Sequence, residues 1–503
     1  MVMVVALMSV VAVITGMTYR VSYRGRQPEA SGAVHVKVPM MGRPEQQHRE
    51  GEGEPSAPLD DPSSSLSPSS TLSVRGRGVK AVRDDLFLFE RGLADPYDPV
   101  HNADGYLVML VAENKLMIQE MSQKIQQVQG DNETTLPEWI FTYGPAAGQS
   151  DFVAAMARLF SKWIRAPVDP RHVKAQAGAG TVLAELSYLL GDTGDGVLVT
   201  APNYPAFAGD FGVYGGMKLH TANAAVDAGF VPTVHDLDRM YEESVTAGHP
   251  PRILIICQPN NPTGTMYSKE TIRIMVGWAL DRDLHVVSDE IYALSVFPGY
   301  HTTSAADIMH EMNPSRENYL GDRVHIVAGL SKDWGLSGFR VGTLFSHNQK
   351  LLDAFDLMGY YAAVSQYTQH VMTQVLTDDA WVDWYISENQ KRLFETYRAM
   401  VAALDRIDVP VTPARGALFA WADFSSLLLP DQTEKGLWNE LATEAKILFT
   451  TGESCHENKP GMFRIVYPWP EGGTIAMQEL GDRLVRWKRQ RSRKQRKDVN
   501  ESQ

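Results

Sequence analysis

The sequence predicts an α/β protein, a large domain around a mostly parallel sheet with a smaller α+β domain built from its flanking segments. Three observations predict it. The first is a set of short, continuous apolar runs, Val197 to Thr200, Ile253 to Cys257, Val286 to Ser288 and Val324 to Ala328, separated by helical lengths. Strands that are apolar on both sides must be covered on both faces, as parallel strands with crossover helices are. The second is that each run ends in a loop rich in polar and aromatic groups. The third is composition: 503 residues, 44% hydrophobic and 21% charged, are enough to bury a large core and exclude collagenous, coiled-coil or wholly disordered chains.

Composition also narrows the partners. A net charge of -13 argues against nucleic acid as a general partner. Cys257 and Cys455 are the two cysteines, too few for a disulfide framework or a CxxC metal site, so a reducing compartment and no metal centre are expected.

Taken in order, residues 1–26 form an apolar leader whose uncharged part, residues 1–19, could anchor the chain in a membrane with the following arginines on the cytosolic side. Residues 27–80 are Ser/Pro-rich and without hydrophobic period, which predicts a disordered linker. Residues 81–130 and 356–482 are assigned to the small domain and 131–355 to the large one. The tail, 483–503, opens with nine basic and no acidic residues between Arg483 and Lys497, a solvated helix end or a patch for anionic lipid or nuclear import. The catalytic part is expected in the cytoplasm.

In open α/β sheets ligands bind beyond the carboxyl ends of the strands, so the four loops should converge. They bring Tyr204 after the first run, Asn261 in Gln258-Pro259-Asn260-Asn261-Pro262-Thr263-Gly264 after the second, Asp289 with Tyr292 after the third, and Ser331-Lys332 after the fourth. Pyridoxal 5'-phosphate needs this set: a lysine to hold its aldehyde covalently and a carboxylate on the ring nitrogen to make the ring an electron sink. It also needs donors at the ring oxygen, a flat residue against the ring and a phosphate cup. Gly178-Ala179-Gly180-Thr181 at a helix start could supply the cup, and Arg340 adds a guanidinium. Taken alone, Tyr204 and Tyr292 would be core aromatics, Asp289 and Asn261 turn or cap residues and Arg464 an ion-pair arginine.

The motifs GLSKDWGLSGFRVG from Gly329, QPNNPTG from Gln258 and SDEIY from Ser288 resemble the class I and II aminotransferase superfamily, fold type I. Leu110 to Lys115, the YPAFAGDF stretch from Tyr204 and Pro460 to Arg464 are similar to its 1-aminocyclopropane-1-carboxylate (ACC) synthase branch, and the similarity runs from about Gly105 to Pro468 in the family's order. The resemblance implies that Lys332 binds the cofactor and shuttles the Cα proton, Asp289 pairs with the ring nitrogen, and Asn261 and Tyr292 donate to the ring oxygen. It implies that Tyr204 stacks on the ring, and that Arg340, Ser331 and the backbone of Ala179 and Gly180 hold the phosphate. Arg464 would clamp the substrate carboxylate, Glu113 would face the substrate, and the protein would be a homodimer.

Two departures stand out. Gly329 occupies the place of a phosphate-binding serine, and Ala146 that of a tyrosine which ACC synthases extend into the partner subunit; Tyr143 could replace it only with a rearranged loop. The expected activity is therefore transamination between an amino acid and a keto acid, in a specialised pathway. The alternatives are an ACC-synthase-type or carbon-sulfur lyase, and a non-catalytic binding protein of the same fold. No GxxxxGK, HExxH or GxSxG motif is present to support another chemistry.

Overall fold

The computed structural model describes residues 86–130, 136–224, 229–469 and 473–501, together with Ser73, Gly76 and Val79. The expectations for residues 1–26, and for all of 27–80 but those three, lie outside the described residues. The described residues belong to one compact unit. At its centre are seven strands: β1 (Val173–Gln176), β2 (Gly196–Ala201), β3 (Lys218–Asn223), β4 (Pro251–Cys257), β5 (His285–Asp289), β6 (Val324–Gly329) and β7 (Gly342–Ser346). Their order is β1-β7-β6-β5-β4-β2-β3. The five from β3 to β6 run parallel, while β7 is antiparallel to both β6 and β1.

The parallel strands form because every residue of β2 and β6 is buried, as is all of β4 except Arg252. Each apolar side chain so covered contributes about 1.5–3 kcal/mol relative to exposure. The strands that sequence did not reveal, β1, β3 and β7, read VKAQ, KLHTAN and GTLFS; they mix polar and small residues because they lie at or next to the sheet's edges.

A second, antiparallel sheet of β8 (Phe419–Asp423), β9 (Thr450–Thr451) and β10 (Met462–Val466) has the order β9-β10-β8 and places Arg464 opposite Trp421 and Thr450. Leu107 and Val108 pair in parallel with Ile447 and Leu448, which ties the early segment to the late one. The basic tail belongs to the helix Thr474–Glu501, packed against Asp379–Asp405. It is not uniformly solvated: Arg483 is buried and donates to the carbonyls of Gly105, Ala103 and Lys446, and Arg491 is buried beside Glu440. Arg483 thereby gives donors to the carbonyls of Gly105 and Ala103, while the Lys446 carbonyl also accepts from the Leu107 amide and Glu440 also accepts from Trp487 and Gln432.

Candidate active site

Lys332 sits just beyond β6, on a turn fixed from both sides. Buried Trp334 stacks on Tyr385 at 4.7 Å, and Asp333 accepts hydrogen bonds from the Leu294 amide (3.0 Å) and the Ser295 hydroxyl (2.6 Å). The lysine's Nζ donates to the carbonyl of Ala112 at 2.7 Å. Burial, and next the charge of Arg464, bring the amine down from 10.5 to about 8, against the opposing pull of Glu113 and Asp289. An amine in that range can both accept and return a proton near neutrality.

Asp289 ends β5, buried, with its carboxylate accepting from the Ile291 amide at 3.3 Å. Burial raises it from 3.8 to about 6, which an adjacent cation would reverse. Asn261, beyond β4, donates from Nδ2 to the Tyr292 hydroxyl at 3.4 Å and accepts from Arg464 Nη1 at 3.0 Å. Burial pushes the Tyr292 phenol well above its ordinary range, so it stays a donor. Arg464 is 2% exposed on β10. Its Nη2 donates to the Leu110 carbonyl (2.7 Å) and the Thr450 hydroxyl (3.0 Å), and the buried Nε has no partner among the described residues. Tyr204, half-buried beyond β2, meets Phe207 edge-on at 5.2 Å and acts electrostatically on Tyr292.

The glycine-rich turn opens the helix Ala179–Leu190. Gly178 caps it with φ 102° and no side-chain cap, and the first-turn amides of a helix lack internal acceptors. Arg340 lies across this turn: a Cβ on Gly178 would stand 2.3 Å from its Nη2, which donates to the Ala177 carbonyl, while Nη1 donates to that of Ser337. Gly342 closes the other side, where a Cβ would meet the Gly178 carbonyl carbon at 2.2 Å. Both glycines are required by close approach.

The structure thus brings together Lys332, Asp289, Asn261, Tyr292 and Arg464 by contact or direct electrostatic action, and Arg340 with Ala179 and Gly180 at the cup. Ser331 is buried on the lysine turn, with no bond to the cup among the described residues. Glu113 acts on Lys332 but is engaged by the Ser337 hydroxyl (3.2 Å) and by Lys115 (3.5 Å). The Ala146 carbonyl lies 2.9 Å from where a Cβ on Gly359 would stand, and Tyr143 is 97% exposed. Sequence reasoning missed the backbone acceptors at Leu110 and Ala112, which carry no residue signature, and Thr450, an ordinary strand residue.

The aminotransferase class I and II profile matches residues 108–479. The chain belongs to that family. ACC synthase 4 of Oryza sativa subsp. japonica is 34% identical over 400 residues, covering 74% of this chain and 80% of its own. The ACC synthase of Malus domestica is 29% identical over 399 residues, covering 77% and 84%. Among solved structures, Thermus thermophilus aspartate aminotransferase with maleate superimposes with a TM-score of 0.68 at 18% identity over 83% of this chain and all of that one, a likeness of fold.

The protein is thus an ACC synthase-like enzyme of a pyridoxal-phosphate-dependent family whose members act on amino acids and typically form dimers. Its residues fit that cofactor: the glycine cradle excludes any Cβ beside Arg340, and the buried Asp289 gains from a cationic neighbour. No helix among the described residues is long and apolar enough to cross a membrane.

Proposed function

We propose that this enzyme breaks the Cα–H bond of an α-amino acid and transfers the amino group to a keto acid. When bound, pyridoxal phosphate supplies the covalent handle for the amino group and the ring that takes up the electron pair of the broken bond. The observation that carries the reading is the enclosed Lys332 amine, brought to about 8 and set beside the cation Arg464 and the carboxylate Asp289. Arg464 holds the substrate carboxylate through its guanidinium fork, which points Cα toward the lysine; Asn261 fixes the fork's orientation. Lys332 takes the Cα proton and returns it one atom away. Asp289 would pair with the ring nitrogen and keep it charged, Asn261 and Tyr292 would donate to the ring oxygen, and Tyr204 would stack on the ring. Arg340, Ser331 and the amides of Ala179 and Gly180 would hold the phosphate. A large PLP-binding domain spanning 131–355 and a smaller one from 81–130 and 356–482 complete the proposal.

A second reading, loss of a group from the substrate's side chain as in ACC synthases, is favoured by the relatives and by Glu113, whose carboxylate acts on Lys332. The two differ in one requirement: only transamination needs a keto acid to restore the cofactor. The full-length holoenzyme is therefore supplied with an amino-acid panel, including methionine derivatives and cysteine conjugates, with and without keto acid. Turnover that stops after one equivalent and resumes on adding keto acid supports transamination. Continued release of thiol, methylthioadenosine, ammonia or ACC without keto acid overturns it in favour of elimination.

A further inference from the structure

Asp210 belongs to the short helix Phe207–Gly212, which follows Tyr204 and packs against both the helix Ala179–Leu190 and strand β3. Its Oδ1 lies 3.8 Å from where a Cβ on Gly180 would stand, so the carboxyl faces the helix end to which the phosphate cup belongs. Among the described residues its carboxyl oxygens receive no hydrogen bond. Burial, then the charge of Asp289, raises it from 3.8 to about 7. The other charges around it are few: the first turn of Ala179–Leu190 carries no acidic residue, and β3 offers exposed Lys218 and His220, which is bonded to His249. A phosphate dianion placed at the same helix end would face an anion if Asp210 were ionised, and a donor if it were not.

We propose that Asp210 is a positioning residue for the phosphate end of the cofactor, carrying a proton in the holoenzyme and donating it as a hydrogen bond to a phosphate oxygen. This rests on pyridoxal phosphate being the cofactor and on the cup at Gly178–Thr181. Arg340 supplies one fixed cation there, and the Asp210 carboxylic acid supplies a second donor whose presence depends on pH. Affinity for the cofactor therefore weakens as pH rises above about 7, where the acid of the cofactor-free protein gives up its proton.

The test is equilibrium binding of pyridoxal phosphate, and of pyridoxal without phosphate, to cofactor-stripped full-length protein at pH 6 and pH 8. Wild type is compared with Asp210→Asn, which keeps a donor but cannot ionise, and Asp210→Ala, which has none; circular dichroism establishes that each is folded. Wild-type affinity for pyridoxal phosphate should fall about tenfold more than that of Asp210→Asn between the two pH values, the loss expected if only the protonated acid binds well. Asp210→Ala should bind several-fold more weakly than wild type at pH 6, Asp210→Asn should restore most of that, and pyridoxal binding should not distinguish the three. Equal pH slopes in all three proteins, or the same differences with pyridoxal, would overturn the proposal. Pyridoxal phosphate binding to all three with the absorbance change of covalent attachment to Lys332 would leave the cofactor assignment standing, and no such change in any of the three would sink that assignment instead, so the two failures are distinguishable.

Discussion

Replacing Lys332 by methionine should make the cofactor-free protein more stable at neutral pH. The enclosed site disfavours the ammonium, bringing the lysine from 10.5 to about 8. That difference corresponds to about 3 kcal/mol, at about 1.4 kcal/mol per tenfold change in proton affinity. Methionine has similar length and no charge to desolvate, but loses the bond to the Ala112 carbonyl, worth about 1 kcal/mol. The net gain at pH 7 is therefore about 2 kcal/mol. Its sign with pH follows from linkage. Below about pH 8 the amine is protonated in both folded and unfolded chains and the penalty is complete; between about 8 and 10.5 only the unfolded chain holds the proton, so wild-type stability rises. Calorimetry of the apoproteins should show Lys332→Met melting about 2 °C above wild type at pH 7, with the gap shrinking toward zero by pH 10. A variant that melts below wild type at pH 7, or a gap independent of pH, would refute the claim that burial and Arg464 set the lysine's proton affinity.

Other perturbations separate binding from architecture. Arg464→Lys keeps the charge but not the fork, and should raise KM for the amino acid ten- to a hundredfold, about 1.4–2.8 kcal/mol, with a smaller change in kcat; steady-state kinetics checks this. Gly178→Ala places a Cβ 2.3 Å from Arg340 at φ 102° and should weaken pyridoxal phosphate about tenfold while sparing pyridoxal, read by absorbance titration. Gly329→Ser, which restores the serine common in the family, puts its Cβ 2.5 Å from the Val341 carbonyl, so β6 and β7 must separate; a loss of about 1–3 kcal/mol in denaturant unfolding is expected, not a gain in cofactor affinity.

What was legible in the sequence follows a physical division. Strands buried on both faces, such as Ile253 to Cys257, announce themselves by uninterrupted apolar runs, and the loops after them could be read as one site because strand ends converge in any such sheet. Strand β3, KLHTAN, pairs on one side only and keeps polar residues, so it reads as a loop. Lys332, Asp289 and Asn261 stood out because each side chain has a distinctive chemical task. The acceptors that orient Lys332 and Arg464 are the main-chain carbonyls of Ala112 and Leu110, which any residue could present. Arg483 illustrates the opposite error: in a run of basic residues it reads as solvated, yet one face of its helix is packed and only geometry separates it from its exposed neighbours.

The claim beneath both catalytic readings is that Lys332 moves the proton of a substrate Cα. Exchange of that hydrogen for solvent deuterium tests it without requiring a choice between transamination and elimination. With holoenzyme in heavy water, no keto acid and the amino-acid panel, proton NMR should show loss of the Cα signal for at least one substrate, and no loss with Lys332→Ala. Exchange that persists at the wild-type rate in Lys332→Ala, or none for any amino acid by cofactor-loaded wild type, would contradict the account.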